Sequence, residues 1–459
     1  MSDEHHSGLL YGLEQRIPPL PAFFSALQHV LAGLVGIITP PLIIGATLGL
    51  GDWLPYLISM SLLASGIGTF LQSNRVWGIG AGMICMQGTS FAFLGVAVAG
   101  GMWVKAQGGG PQDIMAMLFG VNFVAALVPV IVSRFIEPLK KIFTPIITGS
   151  VIALIGISLI KVSVINWCGG EKAQDFASMS NIALGAGTLG VIVLLSCAKN
   201  RWLRLSSVVV GIAVGCVAAG LSGQFHLHSL GDTLFRLPTL FPFGFQFNSA
   251  IFLPVALVSL VCILEAVGDL TANSLISQQS VDDRAFRNRL KGGILADGVS
   301  CMVAAMLSAF PNTTFAQNNG VIQMTGVASR YVGRYIGVIL ILLGLFPPVG
   351  ELLRQIPAPV LGGATMVMFG CVVAAGIRII TQTPLSRRDV LIVGLAFGAG
   401  LGVESVPAFL SHFPPMVGDL FGSAATSGGL VAIALNLILP QEQAATKTIR
   451  SQDDRAESV

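Results

Sequence analysis

The sequence predicts an all-α polytopic membrane protein, and its composition, its apolar windows and its charge distribution each indicate that fold class. Of its 459 residues, 53% are hydrophobic and only 10% are charged, with a mean hydropathy of +0.80. A soluble domain carries about 25% charged residues. This chain therefore cannot cover a soluble surface, and we expect membrane lipid to surround it. Its net charge of +3 gives no indication of a nucleic-acid partner.

Fourteen windows of the chain are long and apolar enough to cross a membrane, for which a helix needs about 20 residues. They cover 23–48, 55–71, 78–100, 112–133, 142–162, 182–198, 205–222, 249–272, 293–310, 312–327, 330–348, 359–380, 390–408 and 422–440. We number them as segments one to fourteen. An even number of spans places both termini on the same side of the membrane.

The basic residues divide unevenly between the two sides. With both termini in the cytoplasm, 20 of the 25 Lys and Arg residues lie in cytoplasmic loops and tails, and the other five (25 − 20) lie outside. Those five are Lys105, Lys161, Lys172, Arg236 and Arg354. This asymmetry follows the positive-inside rule. It predicts a multi-pass protein of the cytoplasmic (inner) membrane with both termini cytoplasmic, and it supports the count of fourteen.

A short internal repeat divides the chain into two halves. A proline and two glycines in segment five recur at the same spacing in segment twelve, at an offset of 214 (359 − 145). They are Pro145, Gly149 and Gly156, and Pro359, Gly363 and Gly370. Seven is an odd number of spans, so two seven-segment repeats insert in opposite orientations. Inverted repeats are typical of secondary transporters, which bind substrate at the membrane midplane between the repeats.

The repeat predicts five regions along the chain. A cytoplasmic N-terminal tail covers 1–22, and the first seven-segment repeat covers 23–222. An extracytoplasmic loop covers 223–248, and the second repeat covers 249–440. A cytoplasmic C-terminal tail covers 441–459.

Segments three and ten are both irregular, and they hold matching positions in the two repeats. Segment three carries the polar run 87–90 in its middle, and segment ten, PNTTFAQNNGVIQMTG, is polar and short. Irregular backbone at membrane depth persists only where protein buries it or where it lines a cavity. Broken segments in matched positions predict a transport site. The alternative, that segment ten is a loop, would leave Gln317, Asn318 and Asn319 outside the membrane.

Three acidic residues lie within the predicted spans. Glu265 and Asp269 are four residues apart on one face of segment eight, and Asp297 is near the inner end of segment nine. A carboxylate at the bilayer centre costs at least ~2.5–3.5 kcal/mol, so such a residue is a candidate functional group. We expect Glu265 to exchange a proton. Asp269 fits a functional or a structural role equally well, and Asp297 fits a structural hydrogen bond to the broken segment beside it.

A second set of side chains suits a flat heterocycle with amide-like edges. Ser90 and Phe91 in segment three, with Phe315, Ala316 and Gln317 in segment ten, offer backbone donors, aromatic faces and one amide. An aromatic ring can stack on such a ligand, and an amide can both donate and accept hydrogen bonds.

His29 lies in segment one, the repeat mate of the segment that carries Glu265. A histidine can bind substrate or relay protons. A single histidine on an apolar helix is more often a packed polar contact, and we favour that role for His29.

Four short runs together resemble one known family. They are Gln28-His29 in segment one, Thr89-Ser90-Phe91 in segment three, EAVGD (265–269) in segment eight, and Gln317-Asn318-Asn319-Gly320 followed by Thr325-Gly326 in segment ten. Over nearly the whole chain the sequence resembles the nucleobase–ascorbate transporters. Within that family it looks closest to the bacterial xanthine permeases, which are proton symporters.

The resemblance implies a fold and a mode of action. It implies a core domain and a gate domain built from two intertwined seven-helix repeats, with short strands in segments three and ten that meet at the site. It also implies a homodimer that imports a purine nucleobase with a proton, without any metal or other cofactor.

The resemblance also implies roles for single residues. Glu265 and Gln317 would hydrogen-bond the purine, beside Ser90 and Ala316, and Phe91 would stack on it. The residues that would support coupling are Asp269, Asp297, His29 and Asn318. Pyrimidine carriers of the family have Glu at the position of Gln317, which favours a purine here. The residue at the Ser90 position varies among xanthine carriers and differs again in urate carriers, so urate remains an alternative to xanthine, as does guanine.

Two other classes of protein are alternatives: an anion exchanger, and a membrane-embedded enzyme or channel, although a channel would not need the matched broken segments. An anion exchanger is the alternative within this fold, because sulfate and bicarbonate carriers resemble it. Anion sites favour a basic residue or helix N-termini without a central carboxylate, so Glu265 argues against an exchanger. The sequence has no HExxH, no Cys/His metal spacing and no nucleotide-binding loop, so we expect neither an enzyme nor a metal site.

Overall fold

The computed structural model describes residues 9–135, 144–170, 173–223, 234–281, 283–381, 384–413 and 421–440. The first eight residues of the predicted N-terminal tail lie outside the described residues. So do the whole predicted C-terminal tail, Lys172 and residues 224–233 of the predicted loop.

Helices and one short strand form the first half of the chain. They are α1 (Pro19–Leu48), α2 (Leu54–Asn74), β1 (Gln87–Thr89), α3 (Leu94–Ala106), α4 (Pro111–Ala125), α5 (Leu127–Val132), α6 (Pro145–Trp167), α7 (Met179–Ser196), α8 (Arg201–Leu205) and α9 (Ser207–Leu221). Single 3₁₀ turns precede α2 (Gly51–Trp53) and α3 (Phe91–Phe93).

The second half repeats this order. Its elements are α10 (Ser249–Ile276), α11 (Arg284–Met306), β2 (Asn312–Thr314), α12 (Ala316–Thr325), α13 (Tyr331–Leu345), α14 (Pro347–Arg354), α15 (Ala358–Ile380), α16 (Arg387–Ser405) and α17 (Ala424–Ile438), with a 3₁₀ turn at Pro407–Leu410. Each of the fourteen predicted segments contains at least one element, and strands occur in segments three and ten. The predicted fold class is confirmed.

The lengths of the helices fit a multi-pass membrane protein. Among the described residues, seven helices are long and apolar enough to cross a membrane on their own, and shorter apolar helices accompany them. Segment eleven differs from a straight span, because α13 and α14 meet at an angle of 78°. Pro347 and Pro348 explain the bend, since proline lacks the N–H that would continue the helix. Fourteen crossings are consistent with this element order.

The helices pack as two groups. Segments one to four and eight to eleven contact mainly one another, and segments five to seven and twelve to fourteen do the same. The same contact occurs once in each direction between the repeats. Segment two (α2) packs on segment eleven (α13), and their repeat mates, segment nine (α11) and segment four (α4–α5), also pack together. These groups are the core and gate domains that the family resemblance implies.

The glycines of the internal repeat allow close helix packing in the gate domain, where α6 lies along α15. A Cβ atom at Gly149 would lie 2.7 Å from the carbonyl oxygen of Gly376. A Cβ atom at Gly156 would lie 2.7 Å from the backbone nitrogen of Val373. Small residues are the usual contact residues of helices in membranes. The repeat is imperfect at its last position, because a Cβ atom at Gly370 would meet nothing within 4 Å.

The strands β1 and β2 pair with each other at the centre of the core domain. They are antiparallel, with Gln87 opposite Thr314 and Thr89 opposite Asn312, and all six residues are buried. The ladder extends beyond the strands, because Ser90 N–H donates to Pro311 O (2.8 Å) and Phe315 N–H donates to Met86 O (3.0 Å). The pairing satisfies backbone groups that a broken helix leaves open at membrane depth.

Candidate transport site

Two short helices begin beside the paired strands. The 3₁₀ turn at Phe91 leads into α3 directly after β1, and α12 begins at Ala316 directly after β2. The first N–H groups of a helix have no partner within the helix, and they carry a partial positive charge. The two helix N-termini therefore carry N–H donors directly after the paired strands, although the Asn318 N–H donates to Phe315 O (3.0 Å).

The three intramembrane carboxyl groups have different surroundings. Glu265 is half-buried on α10, and within the described part of the chain no group forms a hydrogen bond with its carboxyl. Asp269 is buried, and its Oδ2 accepts a hydrogen bond from Thr314 Oγ1 (3.0 Å). Asp297 is buried, and its Oδ1 accepts from Gln87 Nε2 (2.6 Å) and Gln72 Nε2 (2.9 Å). Glu265 alone among these three carboxyls has no such bond to a described residue.

The contacts of Asp297 join three elements that are far apart in sequence. Gln87 lies on β1 and Gln72 near the end of α2, and both donate to Asp297 on α11. Gln72 also donates to Gly293 O (2.9 Å) and accepts from Ala81 N–H (3.0 Å). This geometry fits the structural role predicted for Asp297. The broken segment that it holds is segment three, however, and sequence reasoning missed both glutamines. The signal for Gln87 was the polar run 87–90 in segment three, whereas Gln72 lies one residue after segment two (55–71).

The amides of segment ten divide into bound and open side chains. Asn318 Nδ2 donates to Ile84 O (2.7 Å), which ties segment ten to the run before β1. Asn319 Nδ2 donates to Asp269 O (3.3 Å). Gln317 is half-buried and makes no side-chain hydrogen bond within the described residues, while Ala316 is exposed. Gln317, in the first turn of α12 directly after β2, is therefore available to a ligand, and among the described residues Gln323, further along α12, is also exposed without such a bond.

The two aromatic residues predicted for the site lie in different environments. Phe91 is half-buried, and its ring contacts that of Phe369 on α15 edge to face, with ring centroids 5.1 Å apart. It therefore lies at the boundary between the core and gate domains. Phe315 is only 6% exposed, and its ring fills a slot between Gly36 and Gly88, where added Cβ atoms would lie 2.7 and 2.2 Å from it. The Phe315 ring is therefore packed within the protein and is not open to a ligand.

Ser90 and His29 are both enclosed. Ser90 is 2% exposed; its Oγ lies 3.4 Å from Cys262 Sγ, and its N–H is used in the strand pair. It is therefore not one of the free backbone donors expected from the sequence. His29 is 1% exposed, and neither ring nitrogen has a hydrogen-bond partner among the described residues, although Asn318 lies beside the ring. Its burial fits a packed residue better than a direct substrate contact.

A pocket lies beside the start of β2, and its empty volume of about 350 Å³ includes space that is open to the outside. Segments four, eight and nine and the start of β2 line it, with Asn122, Ser259, Cys262, Asp297 and Asn312 among its polar residues. Neither Glu265 nor Gln317 contributes to its wall. All of its lining residues therefore belong to the core domain.

Comparison with protein families identifies the group to which the chain belongs. A model described as a permease family matches residues 21–409. The chain belongs to the nucleobase–ascorbate transporter family. Membership confirms that it is a transport protein of the membrane and not an enzyme.

Relatives in bacteria are similar over almost their whole length. Xanthine permease XanQ of Escherichia coli is 43% identical over 448 residues, which cover 96% of this chain and 96% of that protein. Xanthine permease XanP of the same organism is 41% identical over 96% of this chain and 97% of its own. Uric acid permease PucJ of Bacillus subtilis is 34% identical, covering 90% of this chain and 92% of its own.

Solved structures of other transporters share the fold. The transmembrane domain of the cyanobacterial bicarbonate transporter BicA has a TM-score of 0.60 at 15% identity, covering 93% of this chain and 99% of that one. The murine anion transporter Slc26a9 in its inward-facing state has a TM-score of 0.62 at 12% identity, covering 92% of this chain and 69% of that one. At these identities the likeness concerns the fold alone.

Proposed function

We propose that the chain is a proton-coupled symporter that imports a purine nucleobase, with xanthine as its preferred substrate. The observation that carries this proposal is the environment of Glu265. This carboxyl lies half-buried on α10 with no hydrogen bond to a described residue, whereas Asp269 and Asp297 are both bound by the protein. An ionisable group that remains open at membrane depth is by default a functional group.

The helix α10, which carries Glu265, contacts α12 and the 3₁₀ turn that begins at Phe91, and the groups on these elements suit a purine. Gln317 offers a donor and an acceptor on one amide, which match a lactam edge, and the first N–H groups of α12 offer further donors. Phe91 offers an aromatic face beside them. The relatives named as xanthine permeases, 43% and 41% identical, support xanthine as the substrate. The uric acid permease at 34% identity supports urate as the alternative, ahead of guanine.

Proton coupling follows from the same carboxyl. When Glu265 is protonated it is neutral, so the free-energy cost of holding a charge in the membrane is removed. The protonated carboxyl can also donate a hydrogen bond to the substrate. Asp269, Asp297, His29 and Asn318 would support coupling by holding the broken segments in place. The proton is the only coupling ion in this proposal, and no metal or other cofactor takes part.

The location of these groups suits alternating access. Glu265 lies on α10, and its neighbour Gly268 faces Thr148 and Ile379 of the gate domain. Phe91 contacts Phe369 across the same boundary. Movement of one domain against the other would therefore open the site first to one side of the membrane and then to the other.

An anion exchanger is the second candidate, because the solved structures with this fold are named as bicarbonate and anion transporters. The two helix N-termini would suit an anion. A charged Glu265, on the helix that contacts both of these elements, would repel an anion, and we therefore rank this function lower.

The orientation and assembly belong to the same proposal. Both termini lie in the cytoplasm, the chain resides in the inner membrane, and two copies form a homodimer. A reporter fused after Leu439 should be active when it is a cytosolic reporter and silent when it is a periplasmic one. The opposite result would remove the inverted-repeat topology.

The decisive test is uptake in a bacterial host that lacks its own purine permeases. Cells that express the chain should accumulate radiolabelled xanthine, and a protonophore should abolish this accumulation. Unlabelled xanthine, urate, guanine, uracil and bicarbonate are the competitors, and purines should compete best. Uptake that persists with the protonophore, or that bicarbonate inhibits more strongly than purines, would contradict the proposal.

A further inference from the structure

A strap of chain from Leu9 to Ile17, which comes before α1, is fastened to one end of the core domain. The N–H groups of Leu10 and Tyr11 donate to Gly326 O (2.7 and 3.1 Å), and Tyr11 and Val327 form a parallel bridge. Leu13 is buried among apolar side chains of segments three and eight and of the first two turns of α11. The strap is therefore fixed in position next to the start of α13.

Three arginine side chains converge where the strap meets α13. The guanidinium carbons of Arg16, Arg330 and Arg334 lie 5.6, 5.3 and 5.0 Å from the centre of the Tyr331 ring. Each of these distances is within the range of a cation–π interaction. No two of the guanidiniums can then be more than about 11 Å apart, which is close to the Debye length at ordinary ionic strength. One aromatic ring thus holds three like charges together.

One acidic group in this cluster is too few to balance the arginines. Glu14 Oε2 pairs with Arg330 Nε at 2.8 Å, and no other described carboxylate lies within 4 Å of Arg16 or Arg334. The wider surroundings add two more arginines and one more acid. Arg289 interacts electrostatically with Glu14, Asp283 and Arg75. These seven residues carry five positive and two negative charges, a net charge of +3 (5 − 2).

An exposed apolar stripe begins next to the cluster. Arg334 is exposed, and Val338 and Leu342, four and eight residues further along α13, are 46% and 60% exposed. Residues four apart lie on one face of a helix. The outer surface of α13 therefore runs from the arginine cluster directly onto an apolar stripe. The cluster lies on the side of the membrane that carries most of the basic residues.

We propose that Arg16, Arg334 and Tyr331 form a binding site for the phosphate group of an anionic phospholipid. The phosphate would lie between the two guanidiniums, and Glu14 would keep Arg330 engaged beside them. An acyl chain would run along Val338 and Leu342. The apolar stripe favours a lipid over free phosphate, because inorganic phosphate has no acyl chain to pack against Val338 and Leu342. Basic pockets at the cytoplasmic ends of membrane helices are known to suit such headgroups. The bound lipid would fasten the strap to α13.

The test measures thermal unfolding of the purified full-length protein in an uncharged detergent. Added phosphatidylglycerol should raise the unfolding midpoint in a saturable manner, and phosphatidylcholine with the same acyl chains should not. Inorganic phosphate, at matched ionic strength, is the third arm. The double variant Arg16→Gln, Arg334→Gln should bind phosphatidylglycerol roughly 25-fold more weakly, about fivefold for each arginine.

Arg387→Gln is the matched control, because Arg387 is an exposed arginine at the start of α16, in the other domain. It should titrate with phosphatidylglycerol like the wild type. If the double variant does not fold, Arg334→Gln alone changes one exposed side chain and should show the fivefold effect. Equal shifts with both lipids, or a double variant that titrates like the wild type, would overturn the site. A full shift with inorganic phosphate would assign it to a free anion and overturn the lipid.

Discussion

The two repeats share one framework but contribute unequal chemistry to the site. In each repeat a short strand in a broken segment leads into a short helix, and the strands pair in register. The first repeat supplies Gln87, whose amide is bound to Asp297, and His29, which is enclosed. The second repeat supplies Glu265 and Gln317, whose side chains are open. The two repeats therefore share their backbone arrangement, whereas Glu265 and Gln317, the open polar groups, both come from the second repeat.

This difference separates residues that hold the site from residues that would act in it. A buried amide or carboxyl that has its hydrogen bonds stabilises the fold, and its loss leaves the partner unpaired at about 1–3 kcal/mol. An open group stabilises nothing and is free to meet a ligand. Substitutions at the bound polar groups of the first repeat should therefore reduce the amount of folded protein, and those at the open polar groups of the second repeat should reduce transport.

The largest effect on transport is expected at Glu265. Glu265→Gln keeps the size of the side chain but cannot exchange a proton, so accumulation of xanthine against a gradient should fall to the equilibrium level at every external pH. Wild-type accumulation should rise as the external medium is acidified. Uptake of labelled xanthine in energised cells, with membrane expression measured in parallel, checks both statements.

Glu404 offers a matched control for this substitution. It is a half-buried acid in the gate domain, and it accepts hydrogen bonds from Ser158 Oγ (2.5 Å) and Ala424 N–H (3.3 Å). The carbonyl of a glutamine can accept both bonds, so Glu404→Gln should still accumulate xanthine. Loss of accumulation in both variants, or in neither, would sink the assignment of Glu265.

Two glycines, Gly88 in the strand pair and Gly320 in α12, test whether the packed strand pair is less tolerant of an added methyl group than the open side of α12. A Cβ atom at Gly88 in β1 would lie 2.2 Å from the Phe315 ring, whereas one at Gly320 in α12 would meet nothing within 4 Å. Gly88→Ala should therefore abolish most of the folded protein, because the ring has no room to move in its slot. Gly320→Ala should fold like the wild type. Membrane expression and size-exclusion profiles in mild detergent measure this difference, and a well-folded Gly88→Ala protein would contradict the packing.

Gln317 should show a smaller effect that is confined to binding. Its amide can donate and accept, but the carboxylate in Gln317→Glu only accepts, which leaves a purine carbonyl facing another acceptor. An unmatched buried polar group costs about 1–3 kcal/mol, or roughly ten- to hundredfold in affinity. Gln317→Asn keeps the amide and should lose less. Competition by unlabelled xanthine measures both, and an unchanged affinity in the Glu variant would place the purine elsewhere.

Patterns within short stretches of sequence were enough to predict the fold. Apolar windows and the uneven Lys and Arg distribution predicted segments that all contain an element in the structure, and polar runs marked the two broken ones. The bend in segment eleven was readable from Pro347 and Pro348, but the window method counts only apolarity and missed it. The strap was missed for a similar reason, because a polar tail gives no signal of docking.

The candidate site could be predicted only in part, because hydrogen-bond partners are distant in sequence. Glu265 and Gln317 were visible as polar residues inside spans. The bond between Gln87 and Asp297 joins residues 210 positions apart, and nothing local to either residue indicates the other. Phe315 and Phe91 look alike in sequence, and only the glycines that enclose Phe315 separate them.

These two phenylalanines also give the smallest predicted effect and the finest test of the comparison. Phe91, from the first repeat, is half-buried at the domain boundary, and Phe315, from the second, is enclosed. Here the open residue comes from the first repeat, so the two residues test whether exposure or repeat membership decides the role.

Phe91→Leu removes an aromatic face worth about 0.5–1.5 kcal/mol beyond its buried area, and xanthine affinity should fall roughly two- to tenfold. Phe315→Leu leaves a gap in a packed slot, so it should lower the thermal unfolding midpoint, while xanthine affinity in the protein that folds stays close to that of the wild type. Competition assays and thermal unfolding on both variants separate the two roles. If Phe315→Leu weakened xanthine binding more than Phe91→Leu did, exposure would not be the rule that assigns residues to this site.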